Sequence, residues 1–168
     1  MTIQLVYIEI RDHVLNMKPI VFRTALLTDL PAIVALLADD ELGSRRETVS
    51  VPLDERYLAA FRAIESDSNQ RLVVGVDGET VTGTMQLSFI PGIARRGAWR
   101  GQIEAVRIAA PFRNAGIGQE MFEWAISECR TRGCSLVQLT TDKGRPDAHR
   151  FYEKLGFVAS HEGYKLFL

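Results

Sequence analysis

The chain is short of the residues that bind metals and form cross-links, with two cysteines and three histidines in 168 residues. Cys129 and Cys134 have no companion cluster of histidine or cysteine. No metal site and no disulfide framework is therefore expected, and a reduced, cytoplasmic chain is. Neither sign of charge is in excess. Lys and Arg number 20 against 21 Asp and Glu, for a formal net charge of −1. That removes any global drive toward nucleic acid or an anionic membrane surface. No apolar run approaches the length of a membrane span, and residues 1–10 lack the basic start and small-residue cleavage site of a secretory signal. Repeats, low-complexity tracts and long linkers are also missing. What is present is an ordinary globular composition, 46% hydrophobic and 24% charged, in a length that suits one domain with a real core.

Residues 1–19 read as an N-terminal extension. Ile3 to Ile10 is strand-like, and a second methionine, Met17, stands just before the domain signals begin. The domain is expected over residues 20–168. Ile20 to Thr24 reads as a strand. A helix follows from Thr28 or Asp29 as cap, with Pro31 in its first turn and Ile33, Leu36 and Leu37 as its apolar stripe. Asp39 to Ser50 is a polar loop, and Pro52 to Ile64 a second helix. Leu72 to Val76 and Val81 to Phe89 form a hairpin across Asp77-Gly78. Ala98 to Ala109 is the next strand. A helix over Gln119 to Arg132 stops at Gly133, and a strand runs from Leu136 to Thr141. Pro146 opens a short helix closed by Gly156. Phe157 to Ala159 and Gly163 to Phe167 are expected as final strands. The order β-α-α-β-β-β-α-β-α-β-β describes a mixed α/β layer fold, not a doubly wound one.

The run Arg113-Asn114-Ala115-Gly116-Ile117-Gly118 joins a strand to a helix. Its glycines permit a tight turn and leave the amides uncovered. The helix behind it supplies unpaired N–H groups and a positive dipole end, which together suit a phosphate. Arg113 adds a forked cation. No Gly-Lys-Ser/Thr follows, so this is not a P-loop, and the dinucleotide fingerprint is also missing. A turn that needs glycine for geometry alone is the competing reading. Arg95, Arg96, Arg100, Arg107 and Arg113 lie close in sequence, opposed by Glu104. They read either as a solvated basic strand or as an anion site beside the glycine turn.

The residues Val106, Ile108, Pro111, Arg113, Gly116 and Gly118, at their spacing here, resemble the acetyl-CoA motif of the GNAT N-acetyltransferases. Some thirty residues later, Ala148-His149-Arg150-Phe151-Tyr152-Glu153-Lys154-Leu155-Gly156-Phe157 resembles that family's second signature. Thr141-Asp142 to Phe157 is also similar to small bacterial-type members such as the aminoalkylphosphonate acetyltransferases. The resemblance covers about Ile20 to Leu168. It implies a single-domain α/β fold with a mixed, mostly antiparallel central sheet flanked by helices and splayed at an acetyl-CoA cleft. Acetyl-CoA is the implied cosubstrate, with no metal. Backbone groups of Val106, Arg107 and Ile108 would hold the pantetheine arm. Arg113 and the amides of Asn114, Ala115, Gly116, Ile117 and Gly118 would hold the pyrophosphate. One position departs from the pattern: the slot three before Ala148, often Asn in the family, is Arg145, and its role is not carried over.

The implied reaction moves an acetyl group to a primary amine of a small molecule or peptide by direct attack. Nucleic acid and membrane are not expected as partners, and a homodimer is left open. Tyr152 matches the family tyrosine that protonates the departing thiolate, a task suited to a phenol. The competing reading is a core tyrosine. Glu104 is the candidate base. In a regular strand it shares a face with Val106 and Ile108, where apolar neighbours would raise its pKa. A bulge would change that face, and an ion pair with Arg100 or Arg107 is the alternative role. Two other classes stay open. A non-catalytic CoA-binding regulatory domain would need neither Tyr152 nor Glu104. A nucleotide-binding protein could use Asp142 as a metal or ribose ligand. Asp39 to Ser50, Pro91 to Arg100 and the C-terminal strands are expected to shape the acceptor site.

Overall fold

A computed structural model describes residues 19–41 and 43–168. The strand-like segment 3–10 and residue 17 lie outside these residues. The chain opens with β1 (Val21–Thr24) and α1 (Leu30–Ala38). Asp29 stands at the helix N-cap, and Pro31 sits in the first turn, where its missing N–H costs nothing. The Asp29 carboxylate does not cap the helix. It accepts from both Nη atoms of Arg23, at 2.6 and 3.0 Å, and from the Leu26 amide at 2.7 Å. β1 is thereby tied to the start of α1. Helix α2 (Glu55–Ser66) begins three residues later than its apolar pattern suggests. It starts where the Asp54 carboxylate can receive the Arg56 amide, at 2.9 Å.

Strands β2 (Gln70–Asp77) and β3 (Thr80–Ile90) form the expected hairpin, with Gly78 at φ 59°. Then come β4 (Trp99–Ile108), α3 (Ile117–Thr131), β5 (Cys134–Leu139) and α4 (Pro146–Lys154). The sheet order is β1-β2-β3-β4-β5. All pairs are antiparallel except β4 and β5, which run parallel.

Alternation along the strands makes two cores. Leu72, Val74 and Val76 join Leu30, Ile33, Val34 and Phe61 beneath α1 and α2. Val73, Met85, Leu87, Phe89 and Ile103 join Met121, Phe122, Ala125 and Cys129 of α3, with Phe151 and Tyr152 of α4 packed alongside. Period-two alternation sends neighbouring residues such as Val73 and Val74 to opposite layers. At Gly101 any side chain would overlap Cys129 Sγ, so α3 lies directly on β4 there.

The two final strands are not formed. Residues 155–168 contain no strand, and Val158, Tyr164, Leu166 and Phe167 are exposed. Leu155 and Phe157 still pack against the α3 core, and beyond them the segment touches the rest through a Lys143–Glu162 ion pair of 3.7 Å and through Gly163 beside Thr140. Its β-rich composition becomes a strand only where a neighbouring backbone supplies a ladder, and none does here.

Candidate active site

β4 and β5 pair from Trp99 with Cys134 as far as Ile103 with Leu139. Beyond Ile103, where β5 ends at Leu139, β4 continues for five residues with β3 on one edge and, among the described residues, no strand on the other. That unpaired edge of β4 lies at the end where the glycine turn is. Within that free stretch β4 is bulged. Gln86 opposes Glu104 and Thr84 opposes Arg107, so Met85 alone faces Ala105 and Val106. Ala105 sits at φ 53° to absorb the extra residue.

The bulge re-phases the strand. Ile103 lies in the core under α3, and Val106 and Ile108 pack against that same core. Glu104 faces the other way and is exposed, and the bulge after it carries Val106 and Ile108 to the Ile103 side. The expectation of an acid among apolar neighbours is therefore corrected: Glu104 does not share the Val106 and Ile108 face. Nor does it pair with Arg100 or Arg107 among the described residues, because Arg107 is held by Asp40. Beside Glu104 lies a run of amides that the sequence did not single out. Gln102 lies opposite Gln138 on β5, and their side chains join at 2.7 Å.

The five arginines do not gather. Arg95 and Arg96 belong to the turn Ala94–Gly97, beyond the Trp99 end of β4, while Arg107 and Arg113 lie at the other end. A ten-residue strand separates the groups by roughly 30 Å. The turn 91–98 accordingly does not border the glycine loop. Arg113 braces the end of β4. Its Nε donates to the Ile108 carbonyl at 3.0 Å, and its Nη2 pairs with Asp39 Oδ2 at 2.7 Å. Arg107 Nη1 donates to the Val106 carbonyl at 2.9 Å, and its Nη2 meets Asp40 Oδ2 at 3.1 Å. Both carbonyls therefore accept from arginine side chains. In the sequence Asp39 and Asp40, which follow α1, belong to a polar loop expected to shape the acceptor site. They are ion-pair partners of the two site arginines.

In the glycine turn Asn114 has φ 64° and Gly116 φ 86°. The first α-helical bond runs from the Glu120 amide to the Gly116 carbonyl at 3.1 Å. Among the described residues, the amides of residues 114–118 have no protein acceptor. A Cβ at Gly118 would meet only ordinary contacts, at 3.7 Å to Phe151 and 3.8 Å to Ile108. Packing therefore does not demand glycine there, which leaves access to the amides as its use.

Tyr152 packs against the α3 core. Its ring stacks with Phe122 and Phe151, each at 5.6 Å, and with Phe157 at 6.2 Å. Its hydroxyl makes no hydrogen bond among the described residues. Burial raises its pKa above the ordinary 10.0, and Arg145 and Arg107 pull it partly back. Arg145 stands at the N-cap of α4 with an exposed side chain. Burial also pushes the Cys129 thiol up to about 12, and both cysteines are free. Among the described residues no group of His, Cys, Asp and Glu could hold a metal ion, and no helix is long and apolar enough to cross a membrane.

A mixed sheet whose β4 edge is left unpaired beside a strand–glycine turn–helix unit is the arrangement of an acetyltransferase domain. It belongs to the acetyltransferase (GNAT) family, which matches residues 32–157. An aminoalkylphosphonate N-acetyltransferase of Salmonella typhimurium is 40% identical over 63 residues, 38% of this chain and 41% of that protein. A glucosamine 6-phosphate N-acetyltransferase of Trypanosoma brucei brucei is 34% identical over 87 residues, 51% of this chain and 56% of that protein. These matches span about half the length of the curated relatives. The crystal structure of a Bacillus halodurans C-125 protein described as a transcriptional regulator superposes with a TM-score of 0.87. It is 47% identical, covering 89% of this chain and 100% of that one.

Proposed function

We propose that the protein is an acetyl-CoA-dependent N-acetyltransferase acting on the primary amine of a small molecule or peptide, in the cytoplasm. The observation that carries this reading is the unpaired edge of β4 beyond Ile103 beside five amides that have no protein acceptor among the described residues. The residues fit the cosubstrate. The amides of Asn114, Ala115, Gly116, Ile117 and Gly118 offer a nest for a diphosphate, with Arg113 beside them. The free edge of β4 at Val106 and Ile108 offers backbone groups to an amide-bearing arm laid along it as an added strand. The bound thioester supplies the acetyl group.

The chain's own groups then act from opposite faces of the sheet. Glu104, on the exposed face, takes the proton that the attacking amine loses. Tyr152 comes from the α3 side with its hydroxyl unbonded and gives a proton to the departing sulfur. Burial favours the neutral phenol, which keeps that proton available at neutral pH. The named relatives act on amines that carry a phosphonate or a phosphate. A small anionic amine is the acceptor type they support.

Titration calorimetry with a Gly118→Val variant tests the cosubstrate site. The variant should keep the parent melting temperature to within a few degrees and lose acetyl-CoA affinity by ~10-fold or more. Unchanged affinity in a folded variant removes the assignment. A second reading, a non-catalytic CoA- or nucleotide-binding regulatory domain, is favoured by the description of the Bacillus halodurans relative. It predicts CoA, ATP or NAD binding with no thiol release from acetyl-CoA in the presence of any amine.

A further inference from the structure

The bulge at Ala105 has a second effect. Three residues apart in a regular strand, Glu104 and Arg107 would point to opposite faces. Here they oppose Gln86 and Thr84, which lie two residues apart on β3 and so share a face. Glu104 and Arg107 thus stand in adjacent rows on one side of the sheet, roughly 7 Å apart along the strand.

The Arg107 guanidinium is incompletely used. Nη1 gives one proton to the Val106 carbonyl, and Nη2 makes a single contact with Asp40 Oδ2 at 3.1 Å. Each Nη carries a second proton. Nε is buried with no hydrogen-bond partner. The side chain retains 21% exposure. A half-enclosed cation with spare donors beside a reaction site calls for an explanation that packing does not give. A planar fork of this kind suits an oxyanion.

Resting on the transferase reading above, we propose that Arg107 sets the acceptor class: a short amine whose nitrogen is separated by two or three carbons from a phosphonate, phosphate or carboxylate. The amine nitrogen then lies at Glu104 while the oxyanion takes the spare Nη protons of Arg107. Arg107 is a specificity-determining residue in this arrangement, and its Nη1 bond to the Val106 carbonyl orients the guanidinium. Nothing in the assignment requires Asp40 to leave.

The test uses three amines with the same two-carbon spacing: 2-aminoethylphosphonate, β-alanine and ethanolamine. Thiol release at saturating acetyl-CoA gives kcat/KM for each. The full chain should prefer 2-aminoethylphosphonate or β-alanine over ethanolamine by ~10–100-fold, and the two anions distinguish a phosphorus oxyanion from a carboxylate. Arg107→Gln should collapse that ratio by ~10-fold or more through KM for the anionic amine. Asp40→Asn, which breaks the ion pair and keeps the cation, should retain the ratio. Three results overturn the proposal: parent values for ethanolamine within threefold of both anions, an unchanged ratio in Arg107→Gln, or an equal loss in Asp40→Asn. The parent comparison depends on no variant's folding. A parent that binds acetyl-CoA in the calorimeter yet acetylates none of the three overturns the acceptor class alone. A parent that neither binds acetyl-CoA nor releases thiol overturns the transferase reading and the acceptor class with it.

Discussion

The proposed role of Tyr152 divides one residue between packing and chemistry. Its ring belongs to a cluster with Phe122, Phe151 and Phe157, and its hydroxyl stands free of them. Tyr152→Phe keeps the ring and removes the proton. It should lower kcat by ~10²–10⁴-fold while acetyl-CoA affinity barely moves. An unchanged kcat, measured where chemistry limits the rate, would return the residue to packing alone. Because the folded-state pKa is raised above 10.0, the phenol stays protonated up to that pH. The tyrosine-dependent part of the rate should therefore be lost only on the alkaline side of it. Glu104→Gln should depress turnover most at low pH, where the amine most needs a base, and a pH–rate profile that overlays the parent would make Glu104 structural. At this scale the sequence marks Tyr152 and the glycine turn by motif and gives Asp39 and Asp40 only as part of a polar loop. It was silent on the ion pairs of Asp39 and Asp40 and on Gln102 and Gln138. Their roles come from residues far away in the chain that fold brings beside them.

Among the elements, β4 carries most of the site. Its first half is pinned to α3 at Gly101, where a methyl group would strike Cys129 Sγ. Gly101→Ala should destabilise the domain by ~1–3 kcal/mol, read by denaturant unfolding. Cys129→Ala vacates the contested space, so the double variant should lose less than the sum of the two single losses. Full additivity would mean that the strand relaxes instead. The main helices were legible from their periodicity because each buries one face, and β2 and β3, buried on both faces, from their apolar runs on either side of the Asp77-Gly78 turn. Two features were not. The bulge has no glycine to announce it: Ala105 takes a positive φ that its side chain disfavours, and the register with β3 imposes it. The C-terminal segment has the composition of strands and lacks the neighbour that would make it one. Alternation reports what a segment could bury and says nothing of whether a partner is present.

For the whole molecule, the family match over residues 32–157 and the described core both lie beyond the N-terminal extension. We therefore propose that residues 1–16 are dispensable for the cosubstrate site. A chain beginning at Met17 should bind acetyl-CoA with the parent affinity in calorimetry. A truncated chain that folds and loses that affinity would move the domain boundary into the extension. The two ion pairs that tie the end of α1 to the site have a consequence in another currency, ionic strength. Arg113 is already paired with Asp39, with side chains 45% and 47% exposed. Receiving a diphosphate there is an exchange of one anion for another, not the neutralisation of a bare cation. Mobile ions weaken the pair that is given up as well as the pair that is gained, and the two screening effects oppose each other. Cosubstrate affinity should consequently fall with added salt less steeply than the charge of a diphosphate alone implies, and the acids at the end of α1 are what flatten it.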